Sequence, residues 1–305
     1  TNSEMGYGNM KEPEGIITPT VSPFRNGEID REGIRKLMDH LHKIKVSGIF
    51  PMGSTGAFPL LNNDTHKMII KVFSEFRAAD DYFIPGVGRN NVEDTVNVAK
   101  YAEDIGADAI VVVTPYYIKM NQDSILSYFE AVVNRVNSPV IIYNIPQLAG
   151  NSITAETVRK LHTEYSNIIG IKDSSGDLSA FQEYLLELPK SFKVFQGQDE
   201  LLLSSLIVGA AGGVCGTTNF TGIATKVYES FKKGDLSSAY RWQVTLSELK
   251  NYLNKRTFPQ IYSFLFHRFI LSESLTGTLN VLSSFSKEEM NEIYSHVSEI
   301  VKPSS

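Results

Sequence analysis

Along most of the chain, short runs of apolar, β-branched residues alternate with longer stretches in which apolar positions recur every three or four residues. The runs are GIITPTV (15–21), GIFPMG (48–53), YFIPGVG (82–88), AIVVVTP (109–115), PVIIYNIP (139–146), IIGIKDS (168–174), KVFQGQ (193–198) and GGVCGT (212–217). Between them the periodicity predicts helices over 30–46, 63–79, 91–105, 122–136, 154–165, 178–188 and 199–210. Runs this apolar suit strands buried on both faces, as parallel sheets require. Eight strand–helix units in about 220 residues therefore predict an α/β fold, a closed (β/α)8 TIM barrel.

The structural rival is an open, doubly wound sheet. Its nucleotide fingerprint is incomplete, because GVGRNN (86–91) has Asn91 where the third glycine belongs. Beyond about residue 222 the strand signal ends. LSSAYRWQVTLSELKNYLNK (236–255) and SKEEMNEIYSHVSEIVK (286–302) read as helices, and no low-complexity linker divides the chain. The expected organisation is a flexible arm at 1–13, a catalytic barrel at 14–235 and a small C-terminal helical extension at 236–305. The extension packs either on the barrel or on a neighbouring subunit.

Composition narrows the function. The 305 residues are 42% hydrophobic, enough for a large core, and carry a formal charge of -5 without a long basic run. That leaves no footprint for nucleic acid or an anionic membrane, so the expected partner is a small molecule or another copy of the chain. A lone cysteine, Cys215, excludes an internal disulfide and a multi-cysteine zinc site and suits a reducing compartment. No apolar segment is long enough to span a bilayer, and the opening TNSEMGYGNMKEPEG lacks a signal-peptide profile. The expectation is a cytoplasmic protein.

In barrel enzymes chemistry gathers at the C-terminal ends of the strands. Those ends carry Thr18, Thr20, Ser54, Thr55, Tyr116, Tyr117, Tyr143, Lys172, Asp199, Glu200 and Thr217. Hydroxyls and one amine dominate, and the six histidines show no metal-ligand spacing. A lysine among apolar residues suits covalent chemistry on a carbonyl, because desolvation favours the neutral, nucleophilic amine. A nearby tyrosine can move protons, and the amides of a Gly-Ser-Thr-Gly turn can hold a carboxylate. Each residue also has an ordinary reading: Lys172 as a snorkelling strand-end lysine, Tyr143 as a core-edge tyrosine, Ser54–Thr55 as a simple turn, Asp199 and Glu200 as first-turn acids.

Together, GSTGAF (53–58), TPYY (114–117), YNIP (143–146), GIKDSSGD (170–177) and GQDE (197–200) resemble, in order and spacing, the pyruvate-dependent class I aldolases related to dihydrodipicolinate synthase and N-acetylneuraminate lyase. The resemblance covers about residues 14–235. It implies Lys172 as the Schiff-base lysine, Tyr143 as the proton relay, Ser54 as the residue orienting that tyrosine, and Thr55 as an amide donor to the pyruvyl carboxylate. It also implies that Tyr117 reaches a neighbouring subunit's site in a homotetramer, and that the reaction uses no cofactor and no metal. Ser174, Gly197, Asp199, Glu200 and Leu148 are the expected substrate-binding positions.

Several positions bear on the substrate: Leu148 and the GQDE acids resemble the lyase branch, while Ala57, Gly216 and Ser174, which replaces a threonine, depart from the sialic-acid lyases. The synthases carry an arginine in the tyrosine motif where Leu148 stands, and leucine cannot make its bidentate contact with a carboxylate. The lyases and synthases have glutamate where Ala57 stands, and sialic-acid lyases have a serine at Gly216. An apolar residue at 57 resembles the 2-keto-3-deoxygluconate aldolases. The expected activity is reversible cleavage of a 2-keto-3-deoxy sugar acid to pyruvate and glyceraldehyde. N-Acetylneuraminate lyase, dihydrodipicolinate synthase and a non-catalytic keto-acid-binding protein are the alternatives.

Overall fold

A computed structural model of the chain describes residues 13–273, 282 and 285–302. The expected N-terminal arm, apart from Pro13, lies outside the described residues. Eight parallel strands form the core: β1 (Gly15–Pro19), β2 (Gly48–Phe50), β3 (Tyr82–Phe83), β4 (Ile110–Val113), β5 (Val140–Asn144), β6 (Ile168–Asp173), β7 (Lys193–Gln196) and β8 (Gly212–Val214). They pair in the order β3-β2-β1-β8-β7-β6-β5-β4. The ring closes just after β3, where Gly86 bridges Val111 in parallel and Val87 N donates to the Val111 carbonyl at 2.9 Å. The fold is a (β/α)8 barrel, as the apolar runs predict.

The strands are shorter than those runs because proline and glycine end the pairing, as at Pro51 after β2. The barrel helices are α1 (Arg31–Lys43), α2 (Asn63–Phe76), α3 (Val92–Asp104), α4 (Gln122–Val133), α5 (Ala155–Glu164), α6 (Leu178–Glu187), α7 (Leu202–Val208) and α8 (Ile223–Lys232). The first six start at Asp30, Asn62, Asn91, Asn121, Thr154 and Asp177, whose side chains accept from the first-turn amides. These caps define where each rim loop ends. The helix expected over 199–210 begins instead as a tight 3-10 turn, Asp199–Leu201, before α7.

Among the described residues three more α-helices follow, α9 (Leu236–Leu253), α10 (Gln260–Phe266), which runs on into a π-helical turn at His267–Leu271, and α11 (Lys287–Val301). α9 and α10 pack on this chain's own barrel, and α11 packs on α9, where Glu292 accepts from Arg256 at 2.7 Å. Gln243 of α9 bonds the 3-10 turn after β7, donating to the carbonyls of Asp199 at 3.1 Å and Glu200 at 3.2 Å and accepting from Leu203 N at 2.8 Å. The extension thereby walls part of the barrel's C-terminal mouth. No helix among the described residues is long and apolar enough to cross a membrane.

Candidate active site

The site is assembled from strand register. On β5 and β6, Tyr143 pairs with Lys172 and Asn144 with Asp173. Because side chains alternate along a strand, one pair faces the barrel interior and the next faces the helical layer. The outer pair is a buried hydrogen bond, Asn144 Nδ2 to Asp173 Oδ1 at 2.7 Å, reinforced by Ser175 Oγ at 2.8 Å. It holds the two strands at one register, and burial pushes the Asp173 carboxyl up from its ordinary value.

The inner pair brings an amine to a phenol. Lys172 is 5% exposed, and its Nζ stands 3.7 Å from the Tyr143 ring centroid and 5.2 Å from that of Phe50. Phe50 in turn meets Tyr143 edge-on, the centroids 5.9 Å apart at 84°. Two aromatic rings thus confine the amine, and the Tyr143 hydroxyl stands 3.2 Å from Ser54 Oγ. Ser54 opens the 3-10 turn Ser54–Gly56, in which the first backbone bond runs from Gly56 N to the Gly53 carbonyl. The Ser54 and Thr55 amides precede that bond, so they are the donors a turn leaves over for a ligand.

Lys172, Tyr143, Ser54 and Thr55 line one cavity of about 250 Å3 at the barrel mouth, with Ser174, Gly197, Asp199 and Leu148. Ser174 Oγ is buried and without a hydrogen-bond partner among the described residues. Gly197 is required beside it, since a Cβ there would lie 1.9 Å from that oxygen. Asp199 is buried and engaged: it accepts from Gly216 N at 3.2 Å, Thr217 N at 3.1 Å and Thr217 Oγ1 at 2.5 Å. Burial pushes its carboxyl up, against the pull of Lys250 and Thr217.

Two expected residues lie elsewhere. Glu200 is not part of the cavity wall; it accepts from Asn254 Nδ2 at 3.2 Å and lies 4.0 Å from Lys250 Nζ. Tyr117 is 89% exposed with its backbone at φ +77°, and it does not line this subunit's cavity. Of the substrate-discriminating positions, Ala57 lines an adjoining apolar recess with Phe58, Leu148 and Phe258. At Gly216 an added Cβ would come 2.9 Å from the Tyr262 ring, so a serine there would require that ring to move.

Lys250, Asn254, Arg256 and Tyr262, from the extension, also line the cavity and are absent from the motif-based expectation. One of them left a signal in the sequence. The buried face of α9 runs Ala239, Gln243, Leu246, Lys250, Leu253, which puts a lysine on an apolar stripe.

A closed barrel whose mouth holds a confined lysine, a tyrosine and a hydroxyl turn defines an enzyme acting on a small carbonyl compound. The chain belongs to the dihydrodipicolinate synthetase family, whose sequence pattern matches residues 12–299. It is 37% identical over 253 residues, 83% of this chain and 93% of the relative, to the 2-dehydro-3-deoxy-D-gluconate/2-dehydro-3-deoxy-phosphogluconate aldolase of Picrophilus torridus. It is 34% identical over 249 residues, 81% of this chain and 83% of the relative, to a 4-hydroxy-tetrahydrodipicolinate synthase of Methanopyrus kandleri. Among solved structures, the 2-keto 3-deoxygluconate aldolase from Picrophilus torridus superposes with a TM-score of 0.80 at 37% identity, covering 84% of this chain and 92% of that one. A prophage protein of the dihydrodipicolinic acid synthase family from E. coli K12, in complex with pyruvate, gives 0.89 at 27% identity over 94% of this chain and 98% of that one. Members of the family are pyruvate-dependent lyases, and this chain is one of them.

Proposed function

We propose that the protein is a Schiff-base aldolase that reversibly cleaves a 2-keto-3-deoxy sugar acid, such as 2-keto-3-deoxygluconate, to pyruvate and glyceraldehyde. The observation that carries this reading is the register of β5 and β6, which sets Lys172 Nζ 3.7 Å from the Tyr143 ring. The Lys172 amine attacks the C2 carbonyl, and loss of water leaves an iminium. Tyr143 takes the proton from the C4 hydroxyl as the C3–C4 bond breaks, and the bond's electrons pass into the iminium to form an enamine. The aldehyde leaves, C3 is protonated, and water releases pyruvate and restores the amine. Ser54 orients the tyrosine, and the Thr55 amide holds the pyruvyl carboxylate.

Two features of the walls support the sugar-acid substrate. Leu148 offers no cation to an aspartate-semialdehyde carboxylate, and Gly216 leaves no room for a serine beside Tyr262. Similarity to the Picrophilus torridus aldolase points the same way. Ser174 Oγ, buried and unpartnered among the described residues, is assigned to the bound keto acid. Asp199 lines the cavity and also shapes the β8 loop, because three donors fill most of its acceptor sites and leave about one for a substrate hydroxyl.

Residues 14–235 are taken as the catalytic barrel and 236–305 as its extension, in a cytoplasmic homotetramer. Exposed apolar side chains support the assembly, among them Leu60, Leu148 and Phe258, which line one recess, and Tyr117 and Ile118. A tyrosine at φ +77° is strained, and such strain gathers at functional sites, which fits Tyr117 entering a partner's site.

The substrate assignment is checked by assaying pyruvate release from 2-keto-3-deoxygluconate, its galactonate epimer, their phosphorylated forms and N-acetylneuraminate. Cleavage of the deoxy sugar acids with a higher kcat/KM than N-acetylneuraminate is expected; the reverse order would overturn it.

A further inference from the structure

We propose that Lys250 is a specificity-determining residue: its ammonium donates hydrogen bonds to the oxygen atoms at the aldehyde-derived end of the bound keto acid. The inference rests on the aldolase reading above. Lys250 lines the same cavity as Lys172, on the β7–β8 side of the mouth, whereas the Ser54–Thr55 turn follows β2. It is 7% exposed, and its hydrogen bond among the described residues is to Tyr262 Oη at 3.0 Å, with Glu200 Oε2 at 4.0 Å. A lysine ammonium carries three donors and no acceptor, so two N–H groups remain.

The carboxylates nearby do not take over this task. Asp199 is mostly engaged by the β8 loop and as a carboxylate only accepts, and Glu200 stands behind the cavity wall. Burial works against the charge of Lys250, but Tyr262, Asp199 and Glu200 outweigh it and hold its pKa above the ordinary lysine value. The far wall therefore presents a permanent donor, which selects oxygen lone pairs. Stability alone does not call for it: an apolar residue between Leu246 and Leu253 would avoid the cost of burying a charge.

The test compares the Lys250→Met variant with the wild type, each first shown to trap pyruvate with borohydride. Cleavage kcat/KM is measured on 2-keto-3-deoxygluconate and on 4-hydroxy-2-oxopentanoate, which lacks the distal oxygens. The ratio of the two is expected to fall about ten- to hundredfold in the variant, the range for a hydrogen bond to a charged group. An unchanged ratio would overturn the assignment. The 6-phosphorylated substrate is a third arm: a larger loss on it identifies an anionic oxygen as the acceptor, an equal loss a hydroxyl, and both support the donor role. If the methionine variant does not fold, Tyr262→Phe removes the bond that aims the ammonium and is expected to lower the ratio about threefold or more. No change there would equally overturn the assignment. A wild type that traps no pyruvate overturns the aldolase reading; one that traps it, with an unchanged ratio, overturns only the role of Lys250.

Discussion

The Lys172→Met variant is expected to lose turnover by about 10⁴-fold or more, the scale on which removal of a covalent nucleophile is felt. Methionine keeps most of the stem that packs between Phe50 and Tyr143, so the barrel is expected to fold and the loss to be chemical. The second lysine in the cavity does not rescue it. Lys250 is held as an ammonium by Tyr262, Asp199 and Glu200, and an ammonium has no lone pair with which to attack a carbonyl. Steady-state pyruvate release, with circular dichroism to verify the fold, reads the effect. Turnover within tenfold of wild type would remove Lys172 from the nucleophile's role.

The Tyr143→Phe variant is expected to separate two steps that the lysine variant abolishes together. Phenylalanine preserves the ring beside Lys172 Nζ and its edge contact with Phe50, so pyruvate adduct formation should persist. What disappears is the hydroxyl 3.2 Å from Ser54 Oγ, and with it the proton transfer that accompanies carbon–carbon cleavage. Such a transfer contributes about 10²- to 10⁴-fold. Cleavage should fall by that factor while borohydride still traps pyruvate. Cleavage near the wild-type rate would assign the relay to another group.

The parts of this protein legible in its sequence are those set by local pattern. The apolar strand runs and the helical periodicity between them are local signals, and they predict the barrel. Lys172 and Tyr143 were legible because a strand's end is its functional end in a barrel, and both stand there. The cavity's far wall was legible only at Lys250, the lysine on the apolar stripe of α9. Helix α10 is buried almost all round, with Ile261, Tyr262, Phe264, Leu265 and Phe266 inside and Ser263 half-buried, so it has no clear amphipathic period to reveal it. Glu200 shows a different limit. The GQDE run places two acids side by side, but the 3-10 turn at Asp199–Leu201 sends them apart, one into the cavity wall and one towards Asn254. Residue order does not reveal which way such a turn faces.

The most direct test of the central claim is reduction of the protein with borohydride in the presence of pyruvate, followed by peptide mass spectrometry. The account predicts a reduced pyruvyl adduct on the peptide containing Lys172, and none when pyruvate is left out. An unmodified Lys172 peptide, or an adduct carried by Lys250 instead, would contradict it.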